Sequence, residues 1–445
     1  MSIDDGLLSP VTVGHDDDVT DAAVLRALVE TELALARAWA RVGASDDETA
    51  HVIAAALAEG DAGGPAAIDP AAARQLAQAA RAGGNPVIPL VAVLRQGVPA
   101  HVRPWVHRGA TSQDILDTAL MLTARRAGAH IVSSLRETEA SLTQLAVDER
   151  DTVAATRTLT QHAVPTTVGA RAAGWVRGLR RARLRLESQV AQLPAQLGGA
   201  AGTLAAFVET GGGDAATALP AAFAAELGLA APEAPWHTER WPVTELGDAL
   251  TQAVDALGVF AADVATLART EIAELATGAT GGSSAMPQKH NPTDAVLIRS
   301  AAVRAPHLAA TLHAAAALAV DERPDGAWHA EWPALRELLR LALGAAAHGD
   351  ALAAGLRVDR AAVARNLALT GAAIVSERLR AVLVPLIGPD RFADLLAAGD
   401  GTLDDRVRRL PEAAGLDLDD LLDPARYTGL AAGFADALDA DEENA

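Results

Sequence analysis

No cysteine occurs in the 445-residue chain, which removes disulfides, thiolate metal sites and a cysteine nucleophile and fits a reducing cytoplasm. Lysine is almost as scarce: of 37 basic residues all but Lys289 are arginine. Aromatic residues make up 3% of the chain, and alternating β-branched runs are few. The longest uncharged stretches, around Val190 to Val208 and Ala305 to Val320, are interrupted by Pro, Gln, Gly or His and read as buried helix or loop, not as membrane spans. The first residues, MSIDDGLLSP, lack the basic-then-apolar pattern of a secretory signal, so a soluble, cytoplasmic protein is expected. With 57 acidic residues the formal charge is -20, which argues against nucleic acid or an anionic membrane as partner. A small anionic substrate then needs a local concentration of donors, because the global field repels it. No pair of histidines has the spacing of a helical zinc site, and neither a metal nor another cofactor is expected.

What is abundant is helix-forming sequence. From Ser112 to about Asp151 there is no proline, and Leu116, Leu120, Ala127, Ile131, Leu135, Leu142 and Leu145 recur at helical steps. This predicts one helix approaching forty residues. Further long helices are predicted between Pro165 and Pro194, after Pro242, from Asn291-Pro292, and from Pro333 past Leu343. Helices well beyond the usual ~11 to 12 residues bury a stripe by packing along one another. The expected architecture is therefore all-α, an elongated central bundle of about five long helices (residues 106–350) between two smaller helical domains (1–105 and 351–445). No strand is expected.

The loop from Gly278 to Pro292, GATGGSSAMPQKHNP, concentrates special residues: glycines that loosen the backbone, paired serines, the sole lysine, and a proline-closed entry into a helix. GSSAMPQKHNP resembles the GSSxMPxKxNP signature of the fumarase/aspartase superfamily. VHRGATSQDILDTAL from Val106 and TRTLTQHAVPTTVG from Thr156 resemble two further segments of that superfamily, in the same order. The resemblance implies a homotetramer with active sites shared between subunits and a small polycarboxylate substrate. It assigns Ser283 as the base that removes a proton next to a carboxylate, a role a neutral serine fills only if its anion is stabilised by nearby donors. It places Thr111, Ser112, Gln113, Lys289 and Asn291 on a substrate carboxylate, with His107, Gln161, Ser284, Met286 and Arg240 also in the substrate-binding set. His162 is implied as a carboxylate donor or a proton donor.

Within the superfamily, lyases that expel an amine or hydroxide have Thr-His where this chain has Thr158-Leu159, and a glutamate orienting that histidine where it has Val296. A basic leaving group benefits from such a proton donor by roughly a hundredfold or more, whereas an anion of an acid as strong as a carboxylic acid leaves unaided. Pro235-Trp236-His237-Thr238 with Arg240, and GAWHAEW at 326–332, resemble elements of the 3-carboxy-cis,cis-muconate cycloisomerase family. Lactonisation of 3-carboxy-cis,cis-muconate, in protocatechuate breakdown, is accordingly the first expectation. The alternative is a β-elimination lyase with another weakly basic leaving group, such as nitrite from nitrosuccinate. A non-catalytic relative is disfavoured by the intact Ser283 and Lys289. Ser283→Ala is expected to abolish proton exchange at the substrate α carbon, followed by deuterium incorporation, while assembly stays intact; retained exchange would move the base elsewhere.

Overall fold

The computed structural model describes residues 6–58, 70–278, 286, 288–397 and 399–442. The fold is all-α, dominated by five long helices: Ser112–Asp148, Val168–Ala191, Trp241–Leu267, Thr293–Ala317 and Gly326–Gly355. The first is 37 residues long and starts where the proline-free stretch starts. Its repeating Leu116, Leu120, Ala127, Ile131, Leu135 and Leu142 are all buried. On the Trp241–Leu267 helix the stripe Leu246, Leu250, Val254, Leu257, Val264 and Leu267 is buried in the same way. That helix is long and apolar enough by composition to cross a membrane, but half of its most apolar window is spent on packing inside the protein.

Two expectations need correction. The last long helix begins at Gly326, and Pro333 lies inside it. A proline there removes one backbone hydrogen bond. The added turns bury Trp328, whose ring meets that of Trp332 edge-on at 4.6 Å. Strands also occur, contrary to expectation: Val153–Thr158 and Gln161–Thr167 form an antiparallel hairpin. Its turn, Leu159-Thr160, has φ of 49° and 71°, the doubly left-handed geometry that two-residue hairpin turns require. The register shifts between Ala155 and Arg157, where Thr156 Oγ1 accepts from the backbone N–H of Val164 (3.0 Å) and donates to its carbonyl (2.6 Å). Leu275–Ala276 and Arg357–Val358 make a second, two-residue antiparallel pair.

By internal contacts the chain divides into two compact units whose boundaries fall inside the long helices, a partition different in kind from one drawn by helix length along the chain. The first comprises Met1–Ser134, Ala182–Leu257 and Leu297–Ala347. Within it Trp39 is fully buried against Phe207, with ring centroids 5.7 Å apart, and against Trp105 at 6.0 Å. The second comprises Leu135–Arg181, Gly258–Val296 and His348–Ala445. Its hydrophobic cluster gathers Ile374, Leu379, Leu383, Phe392, Val407 and Leu421 from the C-terminal helices. In the same unit Phe260, fully buried, tilts against Trp175 at 5.4 Å. Phe260→Ala removes that packing and is expected to destabilise the protein by about 3–5 kcal/mol in a denaturant titration.

Candidate functional site

In the first unit the site is built on two carboxylates one helical turn apart. Asp114 and Asp117 sit at the entrance of the Ser112–Asp148 helix and are buried, so each needs its lone pairs filled from within the protein. Asp114 accepts from the backbone N–H groups of Thr111 (3.0 Å), Gly198 (2.8 Å) and Gly199 (2.9 Å), and lies 2.8 Å from His237 Nε2. Asp117 accepts from Arg240 Nη1 (2.7 Å) and Nη2 (3.1 Å), Trp328 Nε1 (2.8 Å) and Gln113 Nε2 (3.1 Å). Arg240 also donates to Glu331 (2.7 Å), and its guanidinium stacks on Trp236 at 4.8 Å. Burial opposes the Arg240 charge, but Asp117 and Glu331 more than offset this and raise its pKa. Burial pushes Glu331 up despite Arg240.

This network bears on two of the expected substrate contacts. Every Arg240 N–H is committed to Asp117, Glu331 or the carbonyls of Trp236 and His237, so no donor is left for a substrate. Gln113 is likewise buried, with its amide N–H groups on Asp117 and on the His237 carbonyl (2.8 Å). Both residues hold the scaffold. His237, which the sequence left between pocket and packing, is buried and belongs to that scaffold as well.

Just ahead of the helix, residues 106–111 form a clamped turn. Arg95 Nη2 donates to the Val106 carbonyl (3.1 Å) and Trp39 Nε1 to that of Arg108 (3.1 Å). Gly109 has φ of 80°, and a Cβ there would lie 2.7 Å from the Phe207 ring, so glycine is required. Within this turn His107, also in the left-handed region at φ 60°, places Nδ1 2.7 Å from the buried Glu32. Thr111 and Ser112 are half-buried. Arg323 donates to Thr111 Oγ1 (2.6 Å) and to the Ala200 carbonyl (2.7 Å). With an oxygen lone pair of Thr111 taken by a cation, its own hydrogen is left to point at an acceptor, the posture of an anion donor. Glu32, Asp114, Asp117 and Arg323 were missed in the sequence. The spacing of Asp114 and Asp117 on one helix face was an available signal, whereas nothing local marks Glu32 or Arg323.

The second unit holds the other two segments. Gln161 and His162 lie on the second hairpin strand, not at a helix entrance. Gln161 is exposed, and His162 Nδ1 is 2.7 Å from Thr370 Oγ1. The apolar residues at the two informative positions are open to solvent in the single chain, Leu159 at 97% and Val296 at 52% exposure. Met286, Lys289 and His290 are exposed and Asn291 is half-buried; Ser283 and Ser284 lie outside the described residues. Behind the hairpin, Arg157 pairs with buried Glu274 at 2.5 Å, and Asn366 donates to the same carboxylate at 2.9 Å. Glu274 directly precedes Leu275–Ala276, so this pair joins the hairpin to the chain leading into the 278–292 loop.

Burial alone would raise the Glu274 pKa, but the hydrogen bonds from Arg157 and Asn366 and the charges of Arg157 and Arg171 outweigh it and hold it below the usual range. A carboxyl lowered by folding stabilises above its unfolded value, roughly 4.3, and that contribution is lost as pH falls through the folded value. Glu274→Gln is therefore expected to weaken the fold by about 1–3 kcal/mol at pH near 7. The gap to the wild type should narrow in denaturant titrations below about pH 4; a constant gap would contradict the ionic role.

Comparison with known proteins extends these local matches to the whole chain. A family profile described as a lyase matches residues 16–306. The chain is 46% identical over 456 residues to nitrosuccinate lyase of Streptomyces davaonensis, covering 98% of this chain and 94% of that protein. It is 39% identical over 436 residues to the 3-carboxy-cis,cis-muconate cycloisomerase of Pseudomonas aeruginosa, covering 94% and 92%. The crystal structure of the 3-carboxy-cis,cis-muconate lactonizing enzyme from Pseudomonas putida superposes with a TM-score of 0.86 at 34% identity, over 100% of this chain and 99% of that one. With the signature loop, the two further motifs and the helical fold in agreement, the chain belongs to the lyase family of the fumarase/aspartase superfamily and is an enzyme of that superfamily.

Proposed function

We propose that the enzyme is a β-elimination lyase that expels nitrite from nitrosuccinate and leaves fumarate. The observation that carries the reading is the apolar pair Leu159 and Val296, which leaves the departing group without the histidine donor used against basic leaving groups. Nitrite, like a carboxylate, is a stable anion and departs unprotonated. Choosing between the two reverses the order expected from sequence. The 46% identity to a nitrosuccinate lyase over 98% of the chain exceeds the 39% to a cycloisomerase.

In this reaction Ser283 takes a proton from the carbon next to one carboxylate. The electron pair forms the double bond, and the C–N bond breaks with its electrons on nitrite. No external oxidant or reductant enters the balance. Thr111, Ser112, Lys289 and Asn291 hold the carboxylates, supplying the local donors that a chain of charge -20 requires. The active unit is a homotetramer with shared sites. Large apolar side chains left open on the long helices support this, among them Val259 at 61% and Val303 at 70% exposure.

Lactonisation of 3-carboxy-cis,cis-muconate is the second reading, favoured by the segments around Trp236 and Trp328 and by the TM-score of 0.86. Purified protein given each substrate separates them. Nitrite release, measured by diazo coupling, with matching fumarate is expected from nitrosuccinate, and no loss of diene absorbance from the muconate. Turnover of the muconate alone would reverse the assignment.

A further inference from the structure

Within the first unit the Asp21–Arg41, Pro70–Gly83, Ser112–Asp148 and Gly326–Gly355 helices line a cavity of about 390 Å³ that shares no residue with the site described above. Its walls are apolar: Leu25 and Leu28 come from the first of these helices, Leu76 from the second, and Leu116 and Leu120 from the third. Protein interiors are close-packed, so an apolar void of this size is an exception. It falls in the range that small-molecule sites occupy, roughly 300–1,000 Å³. The sequence accounts for the space. On the Pro70–Gly83 helix the residues that line it recur at 73, 76, 77 and 80, one helical face, and all but Leu76 are alanine.

Two polar side chains decide what the cavity can take. Trp332 is on its wall, and the indole N–H is buried with no acceptor among the described residues. An indole nitrogen can only donate, and a buried donor left without an acceptor carries a free-energy cost that an oxygen would remove. Arg336, one helical turn further and also on the wall, donates to the Val19 carbonyl (2.5 Å) and pairs with Asp21 (2.6 Å), so its charge is already matched. With that pair neutral and the chain at -20, nothing there attracts an anion.

We propose that this cavity binds an uncharged aromatic molecule carrying one acceptor oxygen, such as an aryl ketone or ester, which receives the Trp332 N–H. An aromatic body suits the leucine walls and the Trp332 ring. That ring meets Trp328 edge-on at 4.6 Å, and Trp328 donates to Asp117, so the occupant rests against the buried network that holds Arg240. The site is independent of which substrate the enzyme turns over.

The test titrates the full-length protein with prodan, an uncharged naphthyl ketone whose emission moves to the blue in apolar surroundings. Saturable, blue-shifted emission with one site per subunit is expected. Ala80→Phe, which fills the cavity from its alanine face, should abolish binding, whereas Ala80→Ser, which leaves the space, should retain it. Circular dichroism and light scattering verify that each variant folds and assembles. Trp332→Phe keeps a ring and removes the N–H; it is expected to weaken binding by roughly three- to tenfold. The bound emission of that variant should move further to the blue, because the ketone has lost its donor. No saturable signal, binding indifferent to Ala80→Phe, or emission unmoved by Trp332→Phe would each overturn the proposal. Equal affinity for anilinonaphthalene sulfonate would overturn it too, since that probe carries a charge the cavity offers nothing to hold.

Discussion

The placement of the turn at residues 106–111 depends on the neutralisation of Arg240 between Asp117 and Glu331. A guanidinium with 3% exposure is tolerated only if every donor finds an acceptor and the charge is matched. Meeting that demand fixes the helix that carries Asp117, the loop after Trp236 and the helix that carries Glu331 relative to one another within the first unit. Asp114, one turn earlier, extends the same logic to backbone, drawing Thr111, Gly198 and Gly199 onto one carboxylate. Such a cluster contributes little net stability compared with apolar packing. What it supplies is a single allowed arrangement, since any slip leaves a buried charge unpaired.

The long helices were legible because each needs only a local pattern. Proline-free length and apolar residues at helical steps gave the Ser112–Asp148 helix to within a few residues. The hairpin was not. Its segment carries Val153, Thr156, Thr158, Val164, Thr166 and Thr167, a β-branched signal, but the turn is Leu-Thr where Asn-Gly would have announced it. The bulge at Thr156 also breaks the strict alternation that a strand reading relies on. Arg240 and Gln113 show a different limit. Their motifs were recognisable, yet whether a donor faces substrate or scaffold depends on partners more than 90 residues away, such as Glu331 for Arg240 and His237 for Gln113. Glu32 was invisible for the same reason, its partner lying 75 residues on.

The second unit is organised around a comparable buried acid. Glu274 gathers Arg157, Arg171 and Asn366, so the hairpin bearing Gln161 and His162 and the chain entering the signature loop share one anchor. The hairpin and the chain leading into the 278–292 loop therefore take their positions from one buried carboxylate. Conserving the anchor while varying what the hairpin presents is a route to new substrates on an old frame.

Leu159 presents that opportunity most openly. At 97% exposure on the tip of a two-residue turn it contacts almost nothing in its own chain, so exchanging it leaves the subunit's folding nearly untouched. What the turn presents at Leu159 is thus decoupled from the stability of the unit bearing it. A side chain there can be exchanged by single substitutions that the fold of its own chain scarcely registers.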